Sequence, residues 1–310
     1  MTFSDQEYDT RLAQVRAIMD ANGIDGALCT AYHNSGYYAD FLYCAVGRQY
    51  GLVVDGEKMV SISANIDGGQ PWRQTRGHNN LVYTDWQRGN FIRAVQSLIS
   101  NGATVGIEFD TVSLDLKSQL TKAFPGTHLV DIAPLAMGAR MIKSEEEIAH
   151  ITEMARIADL GGEACLEAIA PGVAEFEVAE HARTKMIAEI ARTWPDSQLM
   201  DTWVWLQSGV NTDGAHNPLT SRKIEKGDII SLNTFPMVCG YYIALERTLF
   251  CGRPSDAHLR YWEINCEVHE VGMSMLKPGV RCKDVAGALN EIYMAYNLLD
   301  RRTFGYGHSF

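Results

Sequence analysis

Three consecutive stretches decide the fold of the second half of the chain: S-G-V-N-T-D-G-A-H-N-P at 208–218, G-D-I-I-S-L-N-T-F-P-M at 227–237 and Y-Y-I-A-L-E-R-T at 241–248. The runs 229–234 and 241–250 are rich in apolar, β-branched and aromatic residues, and Pro236 and Gly240 lie between them. This pattern predicts an antiparallel pair of strands. A loop histidine, His216, precedes the pair, and a carboxylate, Glu246, lies in its second strand.

Side chains on a strand alternate between the two faces of a sheet. One face of the second predicted strand therefore carries Tyr242, Ala244, Glu246 and Thr248. One face of the first carries Ile229, Ser231 and Asn233. A carboxylate on such a face, with a histidine supplied by the preceding loop, is the strongest chemical constellation in the sequence.

His216 and Glu246 each allow two interpretations from the residues alone. Histidine exchanges a proton readily near neutrality, so His216 is a candidate general acid or base, but a loop histidine bonded to the backbone explains it equally well. Glu246 could be a structural ion-pair partner. Its neighbour Arg247 points to the opposite face, so a cation elsewhere is expected, because burying a lone carboxylate is costly.

Composition excludes several classes of protein. The 310 residues carry a net charge of −11, with a pI near 5.3 and no Lys/Arg-rich run, so nucleic acid is not an expected partner. Seven scattered cysteines without a C-x-x-C pair predict reduced thiols rather than a disulfide framework or a zinc site. The N-terminus lacks the pattern of a signal peptide and no apolar run could cross a bilayer, which predicts no membrane partner and a cytoplasmic location.

The order of elements predicts an α/β (α+β) protein of two domains, 1–142 and 143–310. In the first domain we expect a helix at 8–21, a strand at 26–30, a hairpin at 51–64 turning at Asp55-Gly56, a helix at 90–99, a strand at 104–109, a helix at 113–124 and a strand at 128–132. In the second, we expect helices from 144 toward 170, at 175–192, at 256–275 and at 282–296, and a further strand at 203–208. Ser144 and Glu147 in S-E-E-E form a predicted capping box at the start of the first of these helices.

The pattern G-D-x-x-x-x-[DN], followed by G-Y and R-T, resembles the pita-bread metallopeptidases, the methionine aminopeptidase and prolidase family. In that family the residues corresponding to Asn233 and Ala244 are aspartates that bridge two metal ions. An amide and a methyl group cannot replace two charged oxygen ligands. The resemblance therefore implies a pita-bread catalytic domain after an N-terminal α/β domain, with no metal and no other cofactor.

Longer strings resemble the creatinases, the metal-free hydrolases of this fold, which act on linear amidines. They are I-D-G-G-Q-P-W at 66–72, N-T-D-G-A-H-N-P at 211–218, S-L-N-T-F-P-M at 231–237, Y-Y-x-A-L-E-R-T-L-F-C at 241–251 and G-Y-G-H-S-F at 305–310. The resemblance implies hydrolysis of creatine to sarcosine and urea. It gives His216 the role of general acid/base, assigns the guanidinium to Glu246 and the carboxylate of creatine to Arg48, and implies a homodimer in which Arg48 reaches the active site of the neighbouring subunit.

Further positions complete the expected site. Tyr242 is either a secondary substrate contact or a packed aromatic residue, and without the resemblance Arg48 would be an ordinary solvated arginine. His308 matches a metal ligand of the metallopeptidases and is expected to be a polar lining residue here, while Val46 replaces an aromatic residue of the family. The family continues past G-Y-G-H-S-F with more strands, so the resemblance predicts a catalytic domain that is incomplete at Phe310.

Two rival functions stay open. A metal-dependent aminopeptidase or proline dipeptidase has the same fold, and some pita-bread proteins are binding modules without activity. The presence of both His216 and Glu246 favours an enzyme over a binding module.

Overall fold

The computed structural model describes residues 3–42, 47–67, 75–84, 86–87, 89–199, 201–303 and 305–307. The chain divides into two compact units. The first consists of Met1–Met154, Ile190–Met200 and Met237–Tyr241, and the second of Ala155–Glu189, Asp201–Pro236 and Tyr242–Phe310. The predicted domain boundary at 142 remains a prediction, since these units follow contacts rather than chain order.

A six-stranded mixed sheet forms the centre of the first unit, in the order β4-β3-β2-β1-β5-β6. The strands are β1 (Gly26–Cys29), β2 (Gly51–Asp55), β3 (Met59–Ala64), β4 (Asn79–Tyr83), β5 (Thr104–Ile107) and β6 (His128–Asp131). The helices are α1 (Asp5–Ala21), α2 (Tyr32–Ala39), α3 (Asn90–Gln96), α4 (Leu114–Ala123) and α5 (Ala133–Met141). The predicted α/β fold class is confirmed.

Alternation along the strands builds a hydrophobic core on each face of this sheet. Ala27 and Cys29 pack with Val15 and Met19 of α1, while Leu28, between them, packs on the opposite face with Phe91 of α3. Strands buried on both faces read as continuous apolar runs, which is why β1, β2 and β5 were predictable.

Three elements of the first unit were not predicted: α2, β4 and α5. The sequence of α2, Y-H-N-S-G-Y-Y-A, contains weak helix formers and is buried at most positions, so it shows no amphipathic period. β4 lies at the edge of the sheet and begins with two asparagines, which are depleted in strands. The turn at Asp55 is confirmed, because its side chain accepts hydrogen bonds from the backbone of Glu57 and Lys58.

The predicted capping box at Ser144 is confirmed. The Glu147 backbone N–H donates to Ser144 Oγ at 3.2 Å, and the Ser144 N–H donates to Glu147 Oε2 at 2.8 Å. Helix α6 (Glu145–Ala168) begins directly after this serine. Two backbone donors that the helix start would leave without partners are thereby satisfied.

The second unit contains a three-stranded antiparallel sheet in the order β11-β8-β7. Its elements include α7 (Glu175–Thr193), β7 (Trp203–Ser208), β8 (Ile229–Phe235), β11 (Leu245–Phe250), α8 (Asp256–Met275) and α9 (Cys282–Ala295). The antiparallel pairing of the two predicted strands is confirmed, since Ile229 pairs with Phe250 and Thr234 with Leu245.

The prediction of one continuous strand at 241–250 is wrong. Tyr241–Tyr242 forms β10, which pairs with β9 (Met237–Val238) in a separate two-stranded sheet, and β11 begins only at Leu245. Cys239 and Gly240 both have positive φ, 51° and 82°, and make the turn of this small hairpin. Tyr242 therefore does not lie on the strand that carries Glu246.

Candidate functional site

Three residues lie side by side across the sheet of the second unit. Asn233 in the central strand pairs with Glu246 of β11 on one side and with Trp205 of β7 on the other. Residues directly opposite each other in an antiparallel ladder project from the same face. The indole, the amide and the carboxylate thus form one row across three strands.

The next residues along the strands face the other way, toward helix α6. Thr234 Oγ1 donates to the carbonyl of Ala158 at 3.2 Å. A Cβ on Gly162 would come within 2.5 Å of a Leu245 methyl group, so this helix packs directly on that face. The row of Trp205, Asn233 and Glu246 projects away from α6. We call its side of the sheet the polar face. Its polar residues are Gln207, Ser231, Asn233, Glu246 and Thr248, and its aromatic residues include Trp203, Trp205 and Phe235.

His216 reaches the polar face through an aromatic contact. Its imidazole ring centre lies 4.8 Å from that of Trp205 at an interplanar angle of 51°. Trp203 stacks on Phe235 at 3.9 Å and contacts Trp205 at 4.7 Å, so the indole beneath His216 is itself held in place. The structure brings the histidine and the row that ends in Glu246 to the same face, with His216 exposed.

Glu246 is exposed, although it belongs to a stretch rich in apolar and aromatic residues. Within the described part of the chain no cation pairs with its carboxylate. The side chain of Arg247 turns back to donate to the Glu246 carbonyl oxygen at 2.8 Å. The carboxylate is therefore accessible to a cationic ligand, and the prediction of a cationic partner for Glu246 stays a prediction.

The donors at the two predicted metal-bridging positions do not fit a dinuclear centre. Asn233 is 8% exposed, and its amide Nδ2 donates to Ser231 Oγ at 3.4 Å. Ala244 lies between β10 and β11 and has no ligand atom. Among the described residues, no group of three His, Cys, Asp or Glu side chains lies close enough together to hold a metal ion. Asn233 supplies one neutral oxygen where two divalent cations require anionic ligands.

The structure describes two of the remaining predicted site residues, Tyr242 and Arg48, and neither lies in the three-stranded sheet that carries the polar face. Tyr242 is half-buried and bonded to the Asp201 carboxylate, and burial, with that carboxylate adding to it, raises the pKa of Tyr242 to about 12. Arg48 belongs to the first unit and is exposed. His308 and Val46 lie outside the described residues.

Sequence reasoning missed the aromatic residues of the site. The alternation W-V-W at 203–205 places both indoles on one face of β7, and the polar face of a small sheet is an unusual location for two tryptophans. The spacing of two residues between these tryptophans is the feature of the sequence that could have indicated an aromatic surface on this face.

Comparisons with known proteins agree with this architecture. Residues 149–310 match metallopeptidase family M24, and residues 11–142 match the creatinase/prolidase N-terminal domain. The chain belongs to metallopeptidase family M24.

Within this family, the chain is 54% identical over 313 residues to a creatinase of Bacillus sp. strain B-0618, covering 100% of this chain and 76% of that protein. It is 24% identical over 298 residues to an Xaa-Pro dipeptidase of Pyrococcus furiosus, covering 96% and 81%. Among solved structures, a prolidase from Thermococcus sibiricus has a TM-score of 0.84 at 22% identity, covering 98% and 82%.

These similarities confirm the predicted resemblance to creatinases and the pita-bread fold of the second domain. They also confirm that the chain is a hydrolase. The structural neighbour shows the fold alone, because its sequence identity is low. Within the described ranges, no helix has both the length and the apolarity to cross a membrane.

Proposed function

We propose that this chain hydrolyses the guanidinium group of creatine and releases urea and sarcosine. The observation that carries this proposal is the row on the polar face, where Glu246, Asn233 and Trp205 lie in register and His216 rests on the indole. The similarity to a creatinase over the whole chain supports the same substrate.

The row has the dimensions and charge that a guanidino acid requires. Neighbouring strands are about 4.8 Å apart, so the backbones of Glu246 and Trp205 are roughly 10 Å apart across two strand spacings. A planar guanidinium between them would meet the carboxylate at one edge through paired, charge-assisted hydrogen bonds. Its face would lie near the indole, whose π-electrons attract cations.

Creatine also carries a carboxylate, which needs a cation. We assign this role to Arg48, whose guanidinium can bind a carboxylate through two parallel hydrogen bonds. In this proposal the arginine comes from the neighbouring subunit of a homodimer, so each site combines the 1–142 domain of one subunit with the 143–310 domain of the other. We further expect the enzyme to work in the cytoplasm.

His216 is the proton carrier of the proposed reaction. A water proton moves to the imidazole as the water oxygen bonds to the guanidinium carbon. The imidazolium then returns a proton to the sarcosine nitrogen as the carbon–nitrogen bond breaks and its electron pair stays on that nitrogen. The remaining hydroxyl proton passes to solvent and leaves urea. Such proton transfer contributes about 10²- to 10⁴-fold, and the exposed imidazole leaves room for the water.

In this proposal, the orientation of the substrate and of the attacking water accounts for another part of the rate acceleration. Resonance makes the guanidinium carbon a poor electrophile, so a site that holds the group twisted out of plane, with the water aligned, lowers the barrier. Tyr242, bonded to Asp201, is placed by this proposal as a secondary contact, and His308 as a lining residue.

The family also contains metal-dependent peptidases, and a metal assay separates the two functions. The protein is treated with EDTA, dialysed and incubated with creatine or with an Xaa-Pro dipeptide, and urea and free proline are measured. We expect urea release that chelation does not affect, and no dipeptide cleavage with or without added manganese. Dipeptide cleavage restored by metal would overturn the proposal in favour of a peptidase, and failure to hydrolyse either compound would favour a binding module.

The role of His216 is tested in the same assay. His216→Ala is expected to abolish most urea release at every creatine concentration, because imidazole is the side chain suited to proton exchange near neutrality and the described residues of the polar face include no second histidine. Near-complete activity in this variant would contradict the assignment.

A further inference from the structure

A fully buried carboxylate, Glu175, lies beneath the loop that carries His216. It is the first residue of α7 and is 0% exposed. Its Oε1 accepts hydrogen bonds from the Ser208 N–H and Oγ, both at 2.8 Å, and from Asn211 Nδ2 at 3.0 Å. Its Oε2 accepts from the Thr220 N–H at 3.2 Å and from Thr220 Oγ1 at 2.5 Å. One side chain thus satisfies donors from three separate positions of the loop.

These donors lie on both sides of His216. Ser208 ends β7, Asn211 lies in a 3₁₀ turn (Gly209–Asp213), and Thr220 follows the histidine. The two ends of the loop are therefore joined through a single carboxylate. A loop closed in this way loses much of the conformational freedom that its length would otherwise give it.

A second set of contacts fixes the start of the loop. Arg222 donates to Ser208 Oγ at 2.7 Å and to both carboxylate oxygens of Asp228. Gly209 has φ = 52°, and a Cβ there would come within 2.6 Å of Arg222 and Asp228. Glycine adopts this left-handed conformation without strain, and any side chain here would also have to displace the Arg222 guanidinium and the Asp228 carboxylate.

The tip of the loop is connected to the same network. Asn217, next to His216, donates to the Asn211 carbonyl at 2.9 Å and to Asp213 Oδ1 at 2.7 Å. Its own carbonyl accepts from Gln207 Nε2 at 2.6 Å. Hydrogen bonds therefore run from Glu175 through Asn211 to the residue beside the histidine.

The charge of Glu175 is maintained by its surroundings. Burial on its own would raise the pKa of this carboxyl group, but the hydrogen bonds from Thr220, Ser208 and Asn211 together outweigh it and lower the pKa. The carboxylate therefore accepts every one of these bonds as an anion. Hydrogen bonds to an ionised acceptor are the stronger class, and the start of a helix also favours a negative charge.

We propose that Glu175 is a positioning residue for His216, whose carboxylate joins both ends of the loop and so holds the imidazole on Trp205 beside the polar face. It acts through the loop, since its hydrogen bonds are to loop residues. The catalytic part of this inference rests on the proposed function. A displacement of about 1 Å in a catalytic group can lower a rate roughly 100-fold.

The test compares Glu175→Gln with Glu180→Gln. The first keeps the shape of the side chain but turns one accepting oxygen into an NH₂ donor that faces other donors. The second makes the same change on the same helix at an exposed residue, whose carboxylate lies 3.5 Å from Arg183. Thr220→Val leaves Glu175 unchanged and removes the hydroxyl that donates to it and accepts from Asn211 Nδ2 and the Arg222 N–H. It provides a second variant should Glu175→Gln fail to fold.

Two readouts are measured on each variant. The ring C–H signals of His216 in NMR spectra, identified by their loss in His216→Ala, report its position, because the Trp205 ring current shifts them. Steady-state urea release from creatine gives kcat and KM. We expect Glu175→Gln to move the His216 signals and to lower kcat about 10- to 100-fold, with KM within about twofold because the substrate-binding groups lie elsewhere. Thr220→Val should do the same to a smaller extent, and Glu180→Gln should do neither.

The outcomes separate this inference from the proposed function. Unchanged His216 signals and kcat in a folded Glu175→Gln or Thr220→Val variant overturn the positioning role. Shifted signals with an unchanged kcat refute the catalytic part of the inference, while the role of His216 itself is decided by the His216→Ala assay. If the wild-type protein does not hydrolyse creatine, the proposed function fails, and the NMR comparison alone decides whether Glu175 positions the loop.

Discussion

Replacing Glu246 by glutamine should weaken the binding of creatine and leave the fold unchanged. Glu246 is exposed, and no cation in the described part of the chain pairs with it. Removing its charge therefore breaks no ion pair that the described residues form. The row to Asn233 and Trp205 depends on backbone pairing and is retained. Any loss of affinity is then a property of the contact with the substrate.

The expected magnitude depends on how well the site excludes water. Exposed ion pairs contribute only about 0.2–1 kcal/mol, whereas hydrogen bonds to charged groups shielded from solvent contribute about 1.5–3 kcal/mol. The aromatic wall of Trp203, Trp205 and Phe235 shields one side of the row, and bound substrate would cover more. Glutamine also presents an NH₂ group to a guanidinium that has only donors. We therefore expect a loss of about 1.5–3 kcal/mol, which corresponds to a roughly 10- to 150-fold weaker affinity.

Calorimetric titration with creatine in a His216→Ala background measures this affinity without turnover. Glu263→Gln, an exposed residue of α8, is the matched control and should bind like the parent. A loss smaller than about fivefold, the upper range for a solvated pair, would refute the assignment of the guanidinium to Glu246.

Three further predictions concern the dimer, the first unit and the response to pH. Inactive Arg48→Ala and His216→Ala proteins, unfolded and refolded together, should recover about a quarter of wild-type urea release. About half of the dimers are then mixed, and a mixed dimer of an enzyme with shared sites contains one complete site of two. No recovery would exclude a shared site. The side chains of Arg11 and Glu147 are 1% and 2% exposed, and Arg11 Nη2 lies 3.7 Å from Glu147 Oε1. Arg11→Met leaves this carboxylate buried without its cation and should lower the free energy of unfolding by about 3–5 kcal/mol. A change below about 1 kcal/mol in urea denaturation would contradict a buried ionic network. Burial raises the pKa of Tyr242 to about 12, so its neutral phenol stabilises the fold below pH 10, the pKa of tyrosine in the unfolded chain, and this stability is lost as the pH rises toward 12. Over this interval the free energy of unfolding of Tyr242→Phe should fall less steeply with pH than that of the wild type. Equal slopes would contradict the raised pKa.

Elements with a strong local signal were predictable from the sequence. The capping box at Ser144, strand β7 and helix α8 follow from residues within the element or directly beside it. Helix α2 was not predictable, because its buried, glycine-containing sequence is helical only through packing. The separate hairpin of β9 and β10 depends on left-handed backbone at Cys239, which is not a residue type that marks such a turn.

The site shows the same division between local and tertiary information. The row through Asn233 follows from alternation and register, both of which a sequence can indicate. The support of His216 by Trp205 and the closure of its loop by Glu175 depend on tertiary contacts with β7 and α7, which the sequence of the loop does not indicate. A glutamate in the first turn of a helix has an ordinary local explanation, so nothing in its own neighbourhood indicated a second role.

Asn233 and Ala244, which correspond to metal-bridging aspartates by resemblance to the metallopeptidases, indicate how the same sheet can serve a different chemistry. In a dinuclear site, the carboxylates are neutralised by the cations they bind. With an amide at Asn233 and a methyl group at Ala244, the described part of this face holds fewer anionic groups than two divalent ions require, but Glu246 still projects from it. A single accessible carboxylate has the charge to bind one monovalent, planar cation. In the proposed function, a guanidinium substrate takes the place of the metals as the positive charge of the site, and proton transfer by His216 takes the place of Lewis-acid activation.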